Sequence, residues 1–297
     1  MKRFLLTMTI LCFSFRLFAM DWPSPAGTTT RNFGWNDSGQ PQLGVSIRDE
    51  GDFFAAEDGE LLYRRREDDT ASRFPSPLGS WIAIDHRDGI ISIYSRYDDA
   101  RLDSGLLTGT PPEAVVGQVQ KGEILGKAGI SGWTGSKGFY FQLFDRKERR
   151  WINPSMIIPP LEDTRPPAIL SVRLRDEHEK LFDPGETRNL SQGRYFVLVD
   201  AVDTMLSPNE IPLAPYRIIC SINGSEAGVL SFETYSARDG SLMVYRNGLV
   251  PVKQAYAPYP MYEAAEVWLS RGQTVLEIIA QDISGNARRV VYRLMVE

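Results

Sequence analysis

Short runs of alternating apolar and polar residues, closed off by turn residues, recur along this chain. That periodicity is the signature of β-strands with one face buried. The spacing predicts strands at Trp81 to Ile84 and Ile90 to Tyr94, flanking Asp85-His86-Arg87-Asp88-Gly89. Asp-Gly is a hairpin turn signal, so the pair reads as a β-hairpin with His86 at the surface of its turn. A further strand is expected at Phe139 to Phe144, after a Gly-rich loop containing Gly126, Gly129, Gly132, Gly135 and Gly138. Two Pro-Pro pairs, Pro159-Pro160 and Pro166-Pro167, flank Glu162-Asp163 and favour stiff, extended backbone, which marks residues 159–167 as a linker.

Beyond the linker the pattern predicts strands at Ala168 to Leu174, Arg194 to Ala201, Tyr216 to Ile222 and Leu242 to Tyr245. Three more follow at Glu266 to Leu269, Thr274 to Asp282 and Arg288 to Val296. Asp183-Pro184-Gly185, Asn223-Gly224 and Asp239-Gly240 supply turns between them. Short strands at such spacing resemble an immunoglobulin-like β-sandwich over residues 168–297. Ser284-Gly285-Asn286 would turn its terminal hairpin. Asp282 to Asn286 is also the best place in the chain for an oxygen-ligand Ca²⁺ site, with a plain turn the favoured reading. The fold class expected for the chain is all-β.

The stretch Lys121 to Phe144, KGEILGKAGISGWTGSKGFYFQLF, organises the first half. Its Lys-Gly-Glu turn, Gly-rich loop and closing strand resemble the last third of a LytM (lysostaphin-like) zinc peptidase domain. Gly44, Gly51, Ala55-Ala56 and Asp58-Gly59 fall where that family has its first motif and turns, and Trp151-Ile152-Asn153-Pro154 resembles its closing Val-Asp-Pro. The resemblance covers residues 40–158, about 40% of the chain, and implies an antiparallel β-sheet domain. The family holds zinc with His, Asp and His, and uses two further histidines as base and polariser. Aligned on Phe141, those five places read Gln42, Ser46, Tyr140, Arg96 and Gly138. A catalytic zinc needs three protein ligands and one open position, so no zinc, no other cofactor and no catalytic residue is expected, and the chain reads as a pseudo-peptidase.

Composition narrows the alternatives. The two histidines are His86 and His178, too few for the family's site, and no Gly-x-Ser-x-Gly elbow accompanies either. The basic, apolar start MKRFLLTMTILCFSFRLFAM has the layout of a signal peptide over residues 1–19, and an uncleaved anchor is the alternative. With the leader gone, no membrane span is expected, and the net charge moves from −5 to −8 through loss of Lys2, Arg3 and Arg16. An acidic chain argues against nucleic acid as partner. Cys220 alone would remain, read as a buried small hydrophobe. Residues 20–39, with Trp22 and Trp35, read as an extended arm, and Arg64 to Pro77 as a solvated loop.

The expectation is an exported protein of the periplasm or cell envelope that binds peptidoglycan or positions and activates a cell-wall hydrolase, as the resemblance to degenerate LytM domains implies. Gln42, Ser46, Arg96, Gly138 and Tyr140 would line the vacated groove, with Trp133 and Tyr140 stacking on sugar or peptide and Arg96 pairing with a carboxylate. The other readings are an active metallopeptidase with unorthodox ligands and a purely structural interaction protein.

Overall fold

Alternating side chains force strands to bury one face, and here the strands find partners in a long antiparallel sheet. The computed structural model describes residues 20–66, 76–98, 117–133, 135–159, 163–187, 189–204 and 211–297. The leader, most of the Arg64 to Pro77 loop and the centre of the linker lie outside the described residues. Among the described residues the regular structure is strands and three short 3₁₀ turns, at Arg87–Gly89, Pro154–Met156 and Val252–Gln254. The fold is all-β.

The strand Gly138–Asp145 is the hub of the first half. It pairs antiparallel with Val45–Arg48 at one end, with Ile90–Ser95 along most of its length, and with Arg150–Ile152 at the other end. Covered on both faces, it is buried at nearly every position, so its sequence reads more apolar than simple alternation. Trp81–Asp85 continues the sheet beyond Ile90–Ser95, and Gly59–Arg65 beyond that. An aromatic core forms beneath, with the Phe53 ring 4.9 Å from Phe139 and 5.1 Å from Tyr97. Phe53 belongs to a three-stranded sheet with Ile124–Ala128 and Tyr97–Asp98.

His86 is not the surface residue that the hairpin pattern predicts. It is 5% exposed; its Nδ1 lies 2.8 Å from the Asp58 carbonyl and its Nε2 2.7 Å from Ser92 Oγ. The carbonyl can only accept, so the neutral ring carries its proton on Nδ1 and accepts the Ser92 hydroxyl. Burial pulls its pKa below the usual histidine value. The hairpin turn folds back over the Asp58-Gly59 turn, a contact between distant segments that local pattern does not encode.

In the second half, Ala168–Asp176, Gly193–Val202 and Tyr262–Leu269 form one sheet together with the short Leu181–Phe182. Ser225–Arg238, Arg217–Ile222, Gly272–Gln281 and Ala287–Val296 form the other layer, and the two layers share one core that includes Val197, Val199, Ile218, Cys220, Leu230, Phe232 and Ile278. Cys220 is fully buried in it, as its apolar run predicts, and burial pushes its thiol up to about 12.

The long sheet does not stop between the two halves. Arg150–Ile152 pairs on its free edge with Ser225–Arg238, placing Trp151 opposite Tyr235. The residues read as an extended arm complete the junction. Thr28–Arg31 pairs with Val45–Arg48, Phe33 enters the C-terminal core, and Met20 the N-terminal one. Asn32 and Ala214 exchange two hydrogen bonds, of 2.8 and 2.7 Å. Asn36 is buried: its amide donates to Met261 O at 2.9 Å and Ala257 O at 3.2 Å, and its Oδ1 accepts the Gly39 N–H at 2.8 Å. Trp22 donates its indole N–H to Pro159 O at 3.0 Å.

Truncating Asn36 strands these groups away from water. Asn36→Ala is expected to cost about 2–3 kcal/mol in urea unfolding; a loss below about 0.5 kcal/mol, the scatter of an ordinary surface change, would show that the contact does not hold the junction.

Candidate functional site

Two cross-strand neighbours fix the centre of the groove. In the register of the Gly138–Asp145 strand, Tyr140 lies opposite Ser46 on one side and Ser95 on the other. Ser46 and Tyr140 therefore share one face, as their assignment to neighbouring ligand places requires. Arg96 follows Ser95 in the left-handed region, at φ 67°, with its N–H bonded to Leu78 O and Ser80 O at 2.8 and 2.9 Å. An arginine in that conformation is costly. It turns the chain so that the guanidinium sits 4.8 Å from the centroid of the Tyr140 ring, a cation–π contact.

Tyr140 is only 5% exposed, which raises its phenol well above the ordinary tyrosine range; Arg96 and a hydrogen bond from the Leu43 backbone oppose that shift in part. With its face taken by Arg96 and its ring buried, Tyr140 is not the stacking platform expected from sequence. It fills the space, and Arg96 covers it. Gln42 approaches from the chain before Val45–Arg48 and donates its Nε2 to Asp37 Oδ2 at 3.2 Å. Asp37 and Arg31 both act on Arg96: burial lowers its pKa first, Tyr140 opposes this, Arg31 lowers it further, and Asp37 opposes again. The guanidinium stays charged. Its Nε is buried without a hydrogen-bond acceptor among the described residues.

Arg31 and Asp37 were not among the residues expected at the groove. They lie in the segment read as an arm: pairing with Val45–Arg48 brings Arg31 there, and the pairing of Asn36–Asp37 with Gln40–Pro41 places Asp37. Trp133 stands apart. It is 71% exposed in the loop that Gly129 and Gly138 close by exchanging backbone hydrogen bonds, and its own N–H donates to Pro77 O at 3.0 Å. The structure thus gathers Gln42, Ser46, Arg96 and Tyr140, with Gly138 two residues along the strand, and leaves Trp133 at a loop tip.

Gly138 is the tightest point. A Cβ there would lie 2.1 Å from the Ile47 carbonyl oxygen, and one on Gly44, at the other end of the same ladder, 2.3 Å from Phe141 O. Neither position accepts a side chain unless the strands move apart. Among the described residues, the donor set around Tyr140 is an amide, a hydroxyl, a phenol, guanidinium groups and the Asp37 carboxylate. Two cationic groups and one acid do not suit a dication, and zinc prefers imidazole, thiolate or several carboxylates. The residues present do not fit zinc.

Comparison with known proteins gives partial likenesses. One protein-family profile matches residues 166–297. No curated protein matches the chain in sequence. Among solved structures, a zinc-containing peptidase from Vibrio cholerae is 17% identical over 48% of this chain and 41% of its own, with a TM-score of 0.36. This chain therefore matches under half of that protein's length. The catalytic domain of the prophage-encoded M23 protein EnpA from Enterococcus faecalis, in a mutant form, is 20% identical over 46% of this chain and 95% of its own, with a TM-score of 0.34. Lysostaphin from Staphylococcus simulans is 14% identical over 91% of this chain and 95% of its own, with a TM-score of 0.32.

Adding one methyl group probes the close approach directly. Gly138→Ala is expected to destabilise the chain by about 1–3 kcal/mol through overpacking. Equal urea midpoints for the variant and the parent would mean that the ladder is looser than described.

Proposed function

We propose that this chain is a non-catalytic LytM-like protein of the cell envelope, exported by its N-terminal leader and carrying an immunoglobulin-like sandwich after the linker. Its first half binds the wall or positions a wall hydrolase instead of cutting it. The observation that carries the reading is the Tyr140–Arg96 stack at the place where the resemblance sets a zinc ligand, beside a Gly138 that has no room for a side chain. A metallopeptidase needs an open coordination position and a metal-activated water; a phenol under a guanidinium supplies neither.

The same groups suit an anionic ligand. Arg96 and Arg31 bring positive charge into a chain that is acidic overall, and Arg96 Nε is buried without an acceptor among the described residues. A guanidinium of this kind takes a carboxylate by charge-assisted hydrogen bonds. Wall peptides carry such carboxylates, which favours peptidoglycan itself as the ligand. Trp133, exposed on its loop, offers an aromatic face at the edge.

Purified chain supplied with zinc is expected to release no fragments from cross-linked sacculi, yet to co-sediment with them. Arg96→Ala should weaken co-sedimentation about 10-fold or more, the equivalent of one lost charge-assisted hydrogen bond. Zinc-dependent wall cleavage would overturn the reading in favour of an active peptidase. Absence of co-sedimentation would leave the hydrolase as partner, checked by whether the chain stimulates a wall amidase added in trans.

A further inference from the structure

Three carboxylates from segments far apart in sequence meet where the linker reaches the second sandwich layer. Asp163 belongs to the linker, Asp203 directly follows the Gly193–Val202 strand, and Asp282 opens the turn between the last two long strands. One carboxylate oxygen of each lies within 4.8 Å of the others, and Asp203 and Asp282 are buried.

Two of the three have hydrogen-bond partners that fix their orientation. Asp282 accepts the Asn286 N–H at 2.8 Å on Oδ1 and the Asn286 side-chain amide at 2.7 Å on Oδ2. Asp163 Oδ1 accepts the Arg165 N–H at 2.9 Å, and the Asp163 carbonyl accepts the Asn286 amide at 2.9 Å. Asp203 differs. It is 7% exposed, and although its carboxylate takes a hydrogen bond from the Thr204 backbone, its Oδ1 is buried with no hydrogen-bond partner among the described residues. An orphaned carboxylate oxygen, out of water and facing two like charges, is a costly arrangement unless something positive completes it. Asp163 and Asp203 also border a cavity of about 90 Å³ whose walls include Trp22, Val45 and Ile47 from the first half and Tyr216 and Ser284 from the second.

From this geometry we infer that Asp163, Asp203 and Asp282 form a binding site for a hard divalent cation, with Ca²⁺ as the preferred ion. The donors are all oxygen, which excludes a thiolate- or imidazole-seeking metal. Three carboxylates from separate loops make a site of adjustable shape, which suits the 2.3–2.6 Å bonds and irregular coordination of Ca²⁺ better than the strict octahedron of Mg²⁺. Water from the adjoining cavity completes the shell. Bound there, the ion ties the linker to the second sandwich layer at the junction of the two halves. This inference is independent of what the Tyr140 groove binds.

The test is calcium titration of the chelator-treated full-length chain, followed by calorimetry and by the thermal unfolding midpoint, with Tb³⁺ luminescence as a second readout. The expected result is one saturable Ca²⁺ site, a higher midpoint with Ca²⁺ than without, and a weaker response to Mg²⁺. Asp203→Asn should fold, since it removes a buried like charge, and should lose at least about 10-fold in Ca²⁺ affinity. Asp163→Asn, at the partly exposed corner, should weaken binding in the same direction and serves if the first variant does not fold. A midpoint and luminescence indifferent to the cation would overturn the inference, as would undiminished Ca²⁺ affinity in both variants.

Discussion

The close approach of Val45–Arg48 to the Gly138–Phe141 part of the hub strand is the constraint on which the site depends. A glycine stands at each end of this ladder, Gly44 against Phe141 O and Gly138 against Ile47 O. Between them the register places Ser46 opposite Tyr140. With the strands this close, the groove floor cannot present a side chain at 138, and the one at 140 is packed under Arg96. The chemistry available at the surface is then set by what remains: a half-buried guanidinium, the Asp37 carboxylate, Gln42 and Ser46. Cation–π contacts are worth about 0.5–2 kcal/mol, comparable to the strain of holding Arg96 in the left-handed region. The stack and the strained turn offset one another, so both persist.

The second constraint is at the junction. Backbone pairing between Arg150–Ile152 and Ser225–Arg238 makes one sheet of the two halves, and the N-terminal segment closes it from the other side. The contacts there are polar and directional. Tyr256 donates its hydroxyl to Gly34 O at 2.6 Å and also meets Tyr235, while Asn153 reaches Phe232 O at 3.0 Å. Buried polar pairs of this kind fix one arrangement, because any other would leave them unsatisfied. The groove, the linker and the acidic cluster are consequently held in a defined relation.

Much of the fold was legible because its strands follow period two. The hairpin at Trp81–Asp85 and Ile90–Ser95, the hub strand and the strands predicted after the linker fall at or within a few residues of their expected bounds. Ser225–Arg238 was not legible. Its register breaks between Ser231 and Tyr235, it serves different partners at its two ends, and its burial follows no simple alternation. His86 was misplaced for a related reason, since its turn is buried by the distant Asp58-Gly59 segment. At the groove, motif spacing places Ser46, Arg96 and Tyr140 near one another, as the strand register and the Arg96–Tyr140 contact do, but spacing says nothing of depth, and the burial of Tyr140 carries no signal in the sequence. Arg31 and Asp37 carried no local signal. Asp282 carries a local turn signal, whereas Asp163 and Asp203 become its neighbours only through the tertiary fold.

The central claim is that this β framework holds a packed Tyr140–Arg96 pair where a metal would need open ligands. Its most direct test is elemental analysis of the chain purified in the presence of zinc and dialysed against trace metal. The account predicts zinc at background level, unchanged by Tyr140→Ala. Stoichiometric zinc that is lost on changing Tyr140, Gln42 or Ser46 would contradict it.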